Sequence, residues 1–381
     1  MAFGAANIDD LRELARRRLP RFLFDYIDGA AMDETTARRN ITAFDDWCLG
    51  QRVMRDISRR DLTTRFLGAR HALPLILAPV GVCGLYSGHG EVAIARAAGA
   101  AGVPMCLSTF SIASIEEVTA EASGPVYMQL YLLRDRGLAL ELLRRIAAAG
   151  VDTLFLTVDA TLGGIRYRDV RSGMSRPGGI GPRLWWDMAR HPRWLVDQAR
   201  CGPPRLGHVD GGGKDLMAQL GFLASQFDPT LNWSDIGWLR QHWSGRLVIK
   251  GIMSADDAQA ALDQGADALV VSNHGGRQLD GAQAAIRALP HIADRLGGRA
   301  ELLFDSGVRN GTHVVKALAL GATAVLVGRA YIWGLAAGGE RGVSTAIEML
   351  AAEAGNVMGL MGVGNWDELR AHAAELVHAA H

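Results

Sequence analysis

Short, continuously apolar and β-branched runs recur along the chain. They are LPLILAPVG (73–81), VPMCLST (103–109), PVYMQLYL (125–132), TLFLTVDA (153–160), RLVIKGI (246–252), ALVVSNHGG (268–276), AELLFDSGV (300–308) and AVLVGRA (324–330). Runs without polar alternation read as strands buried on both faces of a parallel sheet. Between them lie segments of helical periodicity: HGEVAIARAAGAAG, DRGLALELLRRIAAAG, SADDAQAALDQGA and GTHVVKALALGA. Several open on a capping residue or an acid and close at glycine, as helix ends tend to. Strand–helix alternation repeated through all eight runs favours a (β/α)8 barrel. A doubly wound sheet usually has fewer strands and carries its glycine fingerprint after the first; here the glycine-rich, polar strand ends fall late.

One connection breaks the rhythm. TLFLTVDA and RLVIKGI are separated by about 90 residues, which implies an insertion over the active end of the barrel. The chain reads as one domain, 1–381, with a helical N-terminal segment in 1–72 and strands one to four in 73–160. The insertion occupies 161–235, strands five to eight lie in 236–335, and a C-terminal helix lies in 336–381.

Composition narrows the class further. Of 381 residues, 49% are hydrophobic and 21% charged, as in an ordinary globular protein. Forty basic and forty acidic residues cancel, so nothing global points to nucleic acid. The four cysteines (Cys48, Cys83, Cys106 and Cys201) show neither CxxC spacing nor a disulfide framework, which suits a reducing compartment. No metal ligands are assigned. The start lacks the features of a signal peptide, and no apolar stretch is long enough to span a bilayer. A cytoplasmic location is expected, with part of the surface available to a membrane.

In such a barrel the C-terminal strand ends face the active site. Taken in order they offer Ala78-Pro79-Val80-Gly81, Ser108-Thr109, Gln129 with Tyr131, Thr157 with Asp159, Lys250, His274 with Arg277, Asp305-Ser306-Gly307, and Gly328-Arg329. Polar ends that merely meet solvent would explain some of these singly, but not the set. After the seventh and eighth strands, DSGVRNGTHVVKALALG and VLVGRA pass from a strand through a glycine turn towards a helix. Backbone N–H groups there, with Arg309 or Arg329, would hold a phosphate. Lys250 is an expensive cation to place at a strand end without an anion. It is either half of a salt bridge or a charge held beside a cofactor that gains negative charge on reduction. His274 is the candidate base, since a neutral imidazole with a reference pKa of about 6.5 accepts a proton at cytoplasmic pH. Asp159 would hold its tautomer and stabilise the imidazolium. Arg277 and Arg166 suit a bidentate clamp on a carboxylate, with Arg168 a competitor to Arg166 by spacing alone.

With these residues in place, the sequence resembles the FMN-dependent L-2-hydroxy-acid oxidising family. SNHGGRQLD (272–280) is the family's signature. The likeness runs from about residue 7 to 365 and includes FLFDYIDGA, LAPVG, LST, QLY, TVD, RYRD, IKGI, DSGVRNG and ALALGATAVLVGRA. APVGVCGLYSGHGEV, LRDRG, RYRDVRSGMS and FDPTLNWSDI look closest to the bacterial membrane-associated L-lactate dehydrogenase branch, with (S)-mandelate dehydrogenase beside it. The resemblance implies that His274 removes a proton from the substrate with Asp159 as partner. Arg277 and Arg166 would grip the carboxylate, helped by Tyr26, and Tyr131 would bond the substrate oxygen. Lys250 would stabilise reduced FMN. Ser108, Gln129, Thr157 and the backbone around Pro79, Val80 and Gly81 would bind the ring edge. Ser272 belongs to the same cofactor set. Asp305 would take the ribityl chain, and Gly307, Arg309, Gly328 and Arg329 the phosphate. Glycolate oxidases usually carry alanine where this chain has Gly81 and tryptophan where it has Phe110, so these two positions bear on the substrate.

The insertion has a character of its own. Its 176–208 part carries Arg176, Arg183, Arg190, Arg193, Arg200 and Arg205 against Asp187 and Asp197, with Trp185, Trp186 and Trp194 among them. Arginine mixed with tryptophan suits an interfacial segment docking on anionic lipid. The plainer alternative is a surface lid whose tryptophans pack on the barrel. The branch it resembles uses this segment for membrane association. The expectation is therefore an FMN enzyme, peripheral on the cytoplasmic face of the inner membrane, that oxidises an L-2-hydroxy acid to the 2-oxo acid. L-lactate is favoured as substrate and (S)-mandelate comes next, with a quinone-type acceptor. The resemblance also implies a homo-oligomer, a tetramer. No haem-binding segment precedes the barrel, so a flavocytochrome arrangement is not expected. The rivals are a peroxide-forming oxidase, an FMN-dependent isomerase barrel, and an idle scaffold on the same fold.

Overall fold

In the computed structural model, described residues are 4–173, 181–209, 211, 213 and 215–380. Each of the eight apolar runs contains a strand: β1 (Leu75–Leu77), β2 (Met105–Ser108), β3 (Val126–Leu130), β4 (Thr153–Thr157), β5 (Arg246–Ile252), β6 (Ala268–Val271), β7 (Glu301–Phe304) and β8 (Ala324–Val327). They pair in parallel in sequence order, and β8 closes on β1. The closed (β/α)8 barrel expected from the pattern is the fold.

Continuous apolarity follows from what lies on each side of the wall. One inward residue per strand builds a shared interior: Ile76, Cys106, Tyr127, Phe155, Val248, Val270, Leu303 and Leu326 pack together. Their sequence neighbours, such as Leu75, Leu154, Ile249 and Leu269, belong to the separate core between strands and helices. The antiparallel hairpin Thr64–Phe66/Ala69–His71 sends Phe66 and Leu67 into the interior, closing the end opposite the strand C-termini.

The N-terminal segment opens with two helices, Ile8–Arg18 and Arg21–Asp28, on either side of Leu19 and Pro20, and a third, Thr35–Thr42, follows. The first is capped by Asn7, with acids in its first turn and arginines in its last, each complementing the helix dipole. The expected C-terminal helix lies within the helical run Arg329–Leu360, where two helices meet at a kink at Gly338 and Gly339, the latter at φ 61°. Beyond it Val377–Ala379 pairs antiparallel with Trp47–Leu49.

After β4 the chain forms Tyr167–Ser172, Pro182–Ala189, Pro192–Cys201 and Leu216–Ser225 before Trp233–His242 leads into β5. Trp185 and Trp186 are 60% and 68% exposed, so they match the interfacial expectation in exposure. Trp194 does not: it is buried, its indole N–H donating to Leu85 O at 2.8 Å. It packs on the barrel, as the lid alternative expected. Arg190, Arg193, Arg200 and Arg205 are exposed, whereas Arg176 and the side chain of Arg183 lie outside the described residues. No helix among the described residues is long and apolar enough to cross a membrane.

Candidate active site

Side chains alternate across a strand, so the residue two places beyond each inward apolar one also faces the barrel axis. Going from Ile76, Cys106, Tyr127, Phe155, Val248, Val270, Leu303 and Leu326 to the next inward position gives Ala78, Ser108, Gln129, Thr157, Lys250, Ser272, Asp305 and Gly328. An apolar layer is thus overlaid by a mostly polar one at the C-terminal mouth. Parallel register sets Ser108 beside Gln129 and Thr157 beside Lys250. Ser108 Oγ donates to Gln129 Oε1 at 3.4 Å, and Gln129 Nε2 donates to Thr157 Oγ1 at 3.0 Å.

Lys250 Nζ lies 2.9 Å from Asp305 Oδ2 and donates to Ser272 Oγ at 3.0 Å. Burial pushes the ammonium pKa down, but Asp305 and Asp159 outweigh it, and Lys250 stays charged with a pKa above its ordinary value. The salt bridge foreseen as one alternative is present, and its partner is a residue the resemblance assigns to the cofactor.

His274 follows β6 in a left-handed conformation, φ 57°. Its Nδ1 is 2.9 Å from Asp159 Oδ1, beyond the end of β4. Gly251 makes room for that carboxylate: at φ 113°, a Cβ there would come within 2.7 Å of Asp159 Cβ. Burial pushes the Asp159 pKa up, but His274 and Lys250 beside it prevail and hold it below the ordinary carboxylate range. An ionised carboxylate on Nδ1 fixes the tautomer that leaves Nε2 open to a proton.

Arg277 reaches from the same loop to the N-terminal segment, its Nη1 donating to Tyr26 O at 2.7 Å and Gly29 O at 2.9 Å. Its guanidinium carbon lies 5.0 Å from the centre of the Tyr26 ring, and that of Arg166 lies 5.3 Å from the same ring. Burial and the neighbouring Arg166 push the Arg277 pKa down. Two cations against one tyrosine ring make a place for an anion. Arg168 is not part of it, being held 2.9 Å from both Asp25 and Asp28. Arg166 is steadied by Asp169, Nε to Oδ2 2.6 Å.

Tyr131 packs edge-on against Phe110 at 5.6 Å and Phe227 at 5.2 Å, and burial pushes its hydroxyl pKa well above the ordinary value, leaving a neutral donor. Gly81 and Phe110 constrain each other, since a Cβ at 81 would lie 2.9 Å from Phe110 Cβ. Pro79 and Val80 follow a carbonyl, Ala78 O, that Tyr331 anchors with a 2.6 Å hydrogen bond.

At the ends of β7 and β8 two arginines lie half-buried near each other. Arg309 spans the Trp333 face at 5.0 Å and donates to Val308 O; Arg329 donates to Gly275 O and Gly29 O. Burial pushes Arg309 down to about 10; burial with the charges of Arg309 and Arg277 pushes Arg329 down to about 9. Arg329 Nε is buried without a hydrogen-bond partner. Nearby, Gly328 leaves open space, with nothing closer to its missing Cβ than Ala78 Cβ at 4.0 Å. A phosphate dianion fits this donor set, and the polar layer fits a planar ring with hydrogen-bonding edges. Gly307 has a different explanation: at φ 92° its missing Cβ would sit 2.1 Å from Asn40 O, so packing against the N-terminal segment demands glycine.

Sequence reasoning passed over Asp169, Phe227 and Asn40. Asn40 and Asn273 exchange side-chain hydrogen bonds at 2.7 and 2.8 Å, tying the His274 loop to the N-terminal segment. Only the acid of RYRD gave a signal that could have been read, because an acid three residues after an arginine in a helical turn meets it.

The profile of a family described as FMN-dependent dehydrogenase matches residues 15–376. An L-lactate dehydrogenase of Caulobacter vibrioides (strain NA1000 / CB15N) is 52% identical over 362 residues, 94% of each chain. The crystal structure of a monotopic membrane protein, (S)-mandelate dehydrogenase, superposes with a TM-score of 0.94 at 36% identity, covering 99% of this chain and 100% of that one. A mandelate oxidase in complex with (S)-2-phenylpropionate gives 0.83 at 36% identity, covering 99% of both.

Proposed function

The chain belongs to the FMN-dependent dehydrogenase family, and from that premise we propose the acid it oxidises and where the electrons go. It is an FMN-dependent 2-hydroxy-acid oxidoreductase. The proposed reaction converts L-lactate, with (S)-mandelate as second substrate, to the 2-oxo acid. A quinone-type acceptor then reoxidises the enzyme. One observation carries the substrate class: the His274–Asp159 pair shares the barrel mouth with two arginines, Arg166 and Arg277, flanking one tyrosine.

Arg166 and Arg277 bind the substrate carboxylate, which relieves their mutual repulsion. Tyr131, kept neutral, donates to the substrate oxygen, and Tyr26 lines the carboxylate site. Oxidation removes two electrons and two hydrogens from the carbinol. His274 Nε2 accepts one of them as a proton, and Asp159 stabilises the resulting imidazolium. Bound FMN would supply the two-electron acceptor for this oxidation. Arg309 and Arg329, with the turn at Gly328, would hold its phosphate. Ser108, Gln129, Thr157 and the backbone of Pro79, Val80 and Gly81 would meet the ring edge. Lys250 would offset charge gained on reduction, and Asp305 would keep that lysine protonated.

L-lactate ranks first because the lactate dehydrogenase likeness is the stronger in identity, 52% against 36%, and because Phe110, Tyr131 and Phe227 crowd the mouth. Trp185 and Trp186, exposed among arginines, support a peripheral membrane contact on the cytoplasmic face, close to a lipid-soluble acceptor. A homotetramer is the proposed assembly. The test is anaerobic bleaching of the bound flavin with a panel of L- and D-2-hydroxy acids, followed by stopped-flow reoxidation. L-lactate should bleach fastest and a short-chain quinone should outpace air. Reoxidation by air as fast as by quinone would instead make the protein a peroxide-forming oxidase.

A further inference from the structure

Ser306 stands in the left-handed region at φ 84°, a conformation that favours glycine. It lies one residue beyond Asp305 and across from His274, which is itself left-handed at φ 57°. Two adjoining non-glycine residues in this region demand a reason, and the hydrogen bonds supply one. Ser306 Oγ accepts from the backbone N–H of Asn273 at 3.3 Å and of Gly275 at 3.0 Å, and donates to Asp305 Oδ1 at 2.7 Å. That exhausts a hydroxyl: two lone pairs and one proton. The N–H between them, that of His274, donates to Ser272 Oγ at 3.1 Å, and the same oxygen accepts from Lys250 Nζ. Three successive N–H groups centred on the base thus end on two serine hydroxyls. Both hydroxyls reach Lys250, one directly and one through Asp305.

We infer that Ser306 is a positioning residue for His274, fastening the turn that carries the imidazole to the Asp305–Lys250 ion pair. The inference rests on the proposed reading of His274 as the proton acceptor. A glycine would adopt the same backbone with less strain, so it is the hydroxyl that explains the serine. Backbone held on both sides of a residue leaves its side chain little freedom, and His274 keeps its Nδ1 on Asp159 only if that turn does not rock. Ser306 does not touch the carboxylate clamp, so its loss should act on the chemical step and not on substrate binding.

The test uses FMN-loaded Ser306→Gly and Ser306→Ala enzymes in anaerobic stopped flow with L-lactate. Both should keep the parent's flavin spectrum. Their limiting rate of flavin reduction should fall about ten- to hundredfold, as a displaced catalytic group does, with the half-saturating lactate concentration nearly unchanged. If Ser306→Ala fails to fold, Ser306→Gly, which removes the conformational cost, still gives the answer. Reduction of Ser306→Gly at the parent rate overturns the inference. So does a weakened half-saturation at an unchanged limiting rate, or loss of FMN from both variants. A parent enzyme that no 2-hydroxy acid bleaches is a different failure: it removes the proposed function, and the role of Ser306 with it.

Discussion

A single residue separates Phe155 from Thr157, Val248 from Lys250 and Val270 from Ser272, and each pair points to the same axis. The lower layer is apolar and needs nothing but volume. The upper layer contains serine, glutamine, threonine, lysine and aspartate, nearly as buried. Burying such groups costs free energy unless each finds a partner, and here the partners lie sideways along the ring: Ser108 on Gln129, Gln129 on Thr157, Lys250 on Ser272 and Asp305. Packing therefore constrains the lower layer, while the upper one is constrained by mutual satisfaction and by what it must hold. Substitutions in the two layers should fail in different measurements.

The largest effect belongs to the upper region. His274→Gln keeps a side chain of similar reach but no proton acceptor. It should slow flavin reduction by L-lactate by about 10⁴-fold while FMN stays bound. Rapid-mixing absorbance measures the first and the visible flavin spectrum the second. Retained turnover would remove His274 from its role. Its counterpart in the lower layer is Phe155→Ala, which removes a fully buried ring. That should cost about 3–5 kcal/mol in chemical unfolding, with the folded fraction still reduced at the parent rate. Should Phe155→Ala slow the chemistry as much as it lowers stability, the layers are not separable.

How far each layer was legible follows from the same contrast. Every barrel strand was readable, since a strand buried on both faces shows no regular alternation of polar and apolar residues. The long excursion after β4 leaves an equally local mark. The pairing of Trp47–Leu49 with Val377–Ala379 was not readable, because three residues carry no period and the partners lie at opposite ends of the chain. At the site, the residues that bear the chemistry stood out by type at strand ends. Their supports were harder to read: Asn40 carries no local mark, Asp169 shows only its spacing from Arg166, and Ser306 stands among the polar strand ends with nothing to tie it to Gly275 until the fold does. Arg166 and Arg168 could not be separated by spacing; it takes Asp25 and Asp28, on a helix distant in sequence, with Glu34 beyond it, to claim the second. Trp194 shows the converse failure, since composition grouped it with two tryptophans that face outwards.

Two buried histidines outside the proposed catalytic set sharpen the contrast at intermediate size. His208 sits against Thr109 O and Ser111 Oγ, both at 3.4 Å, and His313 stacks on Phe44 at 4.0 Å. Burial pushes both down to about 4. In the unfolded chain a histidine titrates near 6.5, so on acidification the unfolded state takes up protons first. The contribution of these neutral rings to stability is complete above about pH 6.5 and is lost as pH falls towards 4, with about one proton per histidine taken up on unfolding. Urea unfolding at pH 7 and pH 5 should show the drop, and His208→Gln should lessen it. An equal drop in the variant would move the acid sensitivity elsewhere.

The smallest effect on the barrel is expected from the surface that belongs to neither layer. Trp185 and Trp186 are exposed on Pro182–Ala189, and an exposed indole contributes little to folding. The double change Trp185→Ala and Trp186→Ala should alter stability by no more than about 0.5 kcal/mol. Flavin reduction by L-lactate should stay at the parent rate. What should fall is co-sedimentation with vesicles containing anionic lipid, because those two rings and the exposed arginines around them are what the surface can offer a bilayer. Trp194 serves as the internal control. Its indole is buried with its N–H on Leu85 O, so Trp194→Ala should destabilise the fold instead. A parent enzyme that leaves the vesicles in the supernatant assay would end the membrane proposal. A double variant that loses stability would show that these rings are part of the packing after all, and the division between surface and core would have to be drawn further out.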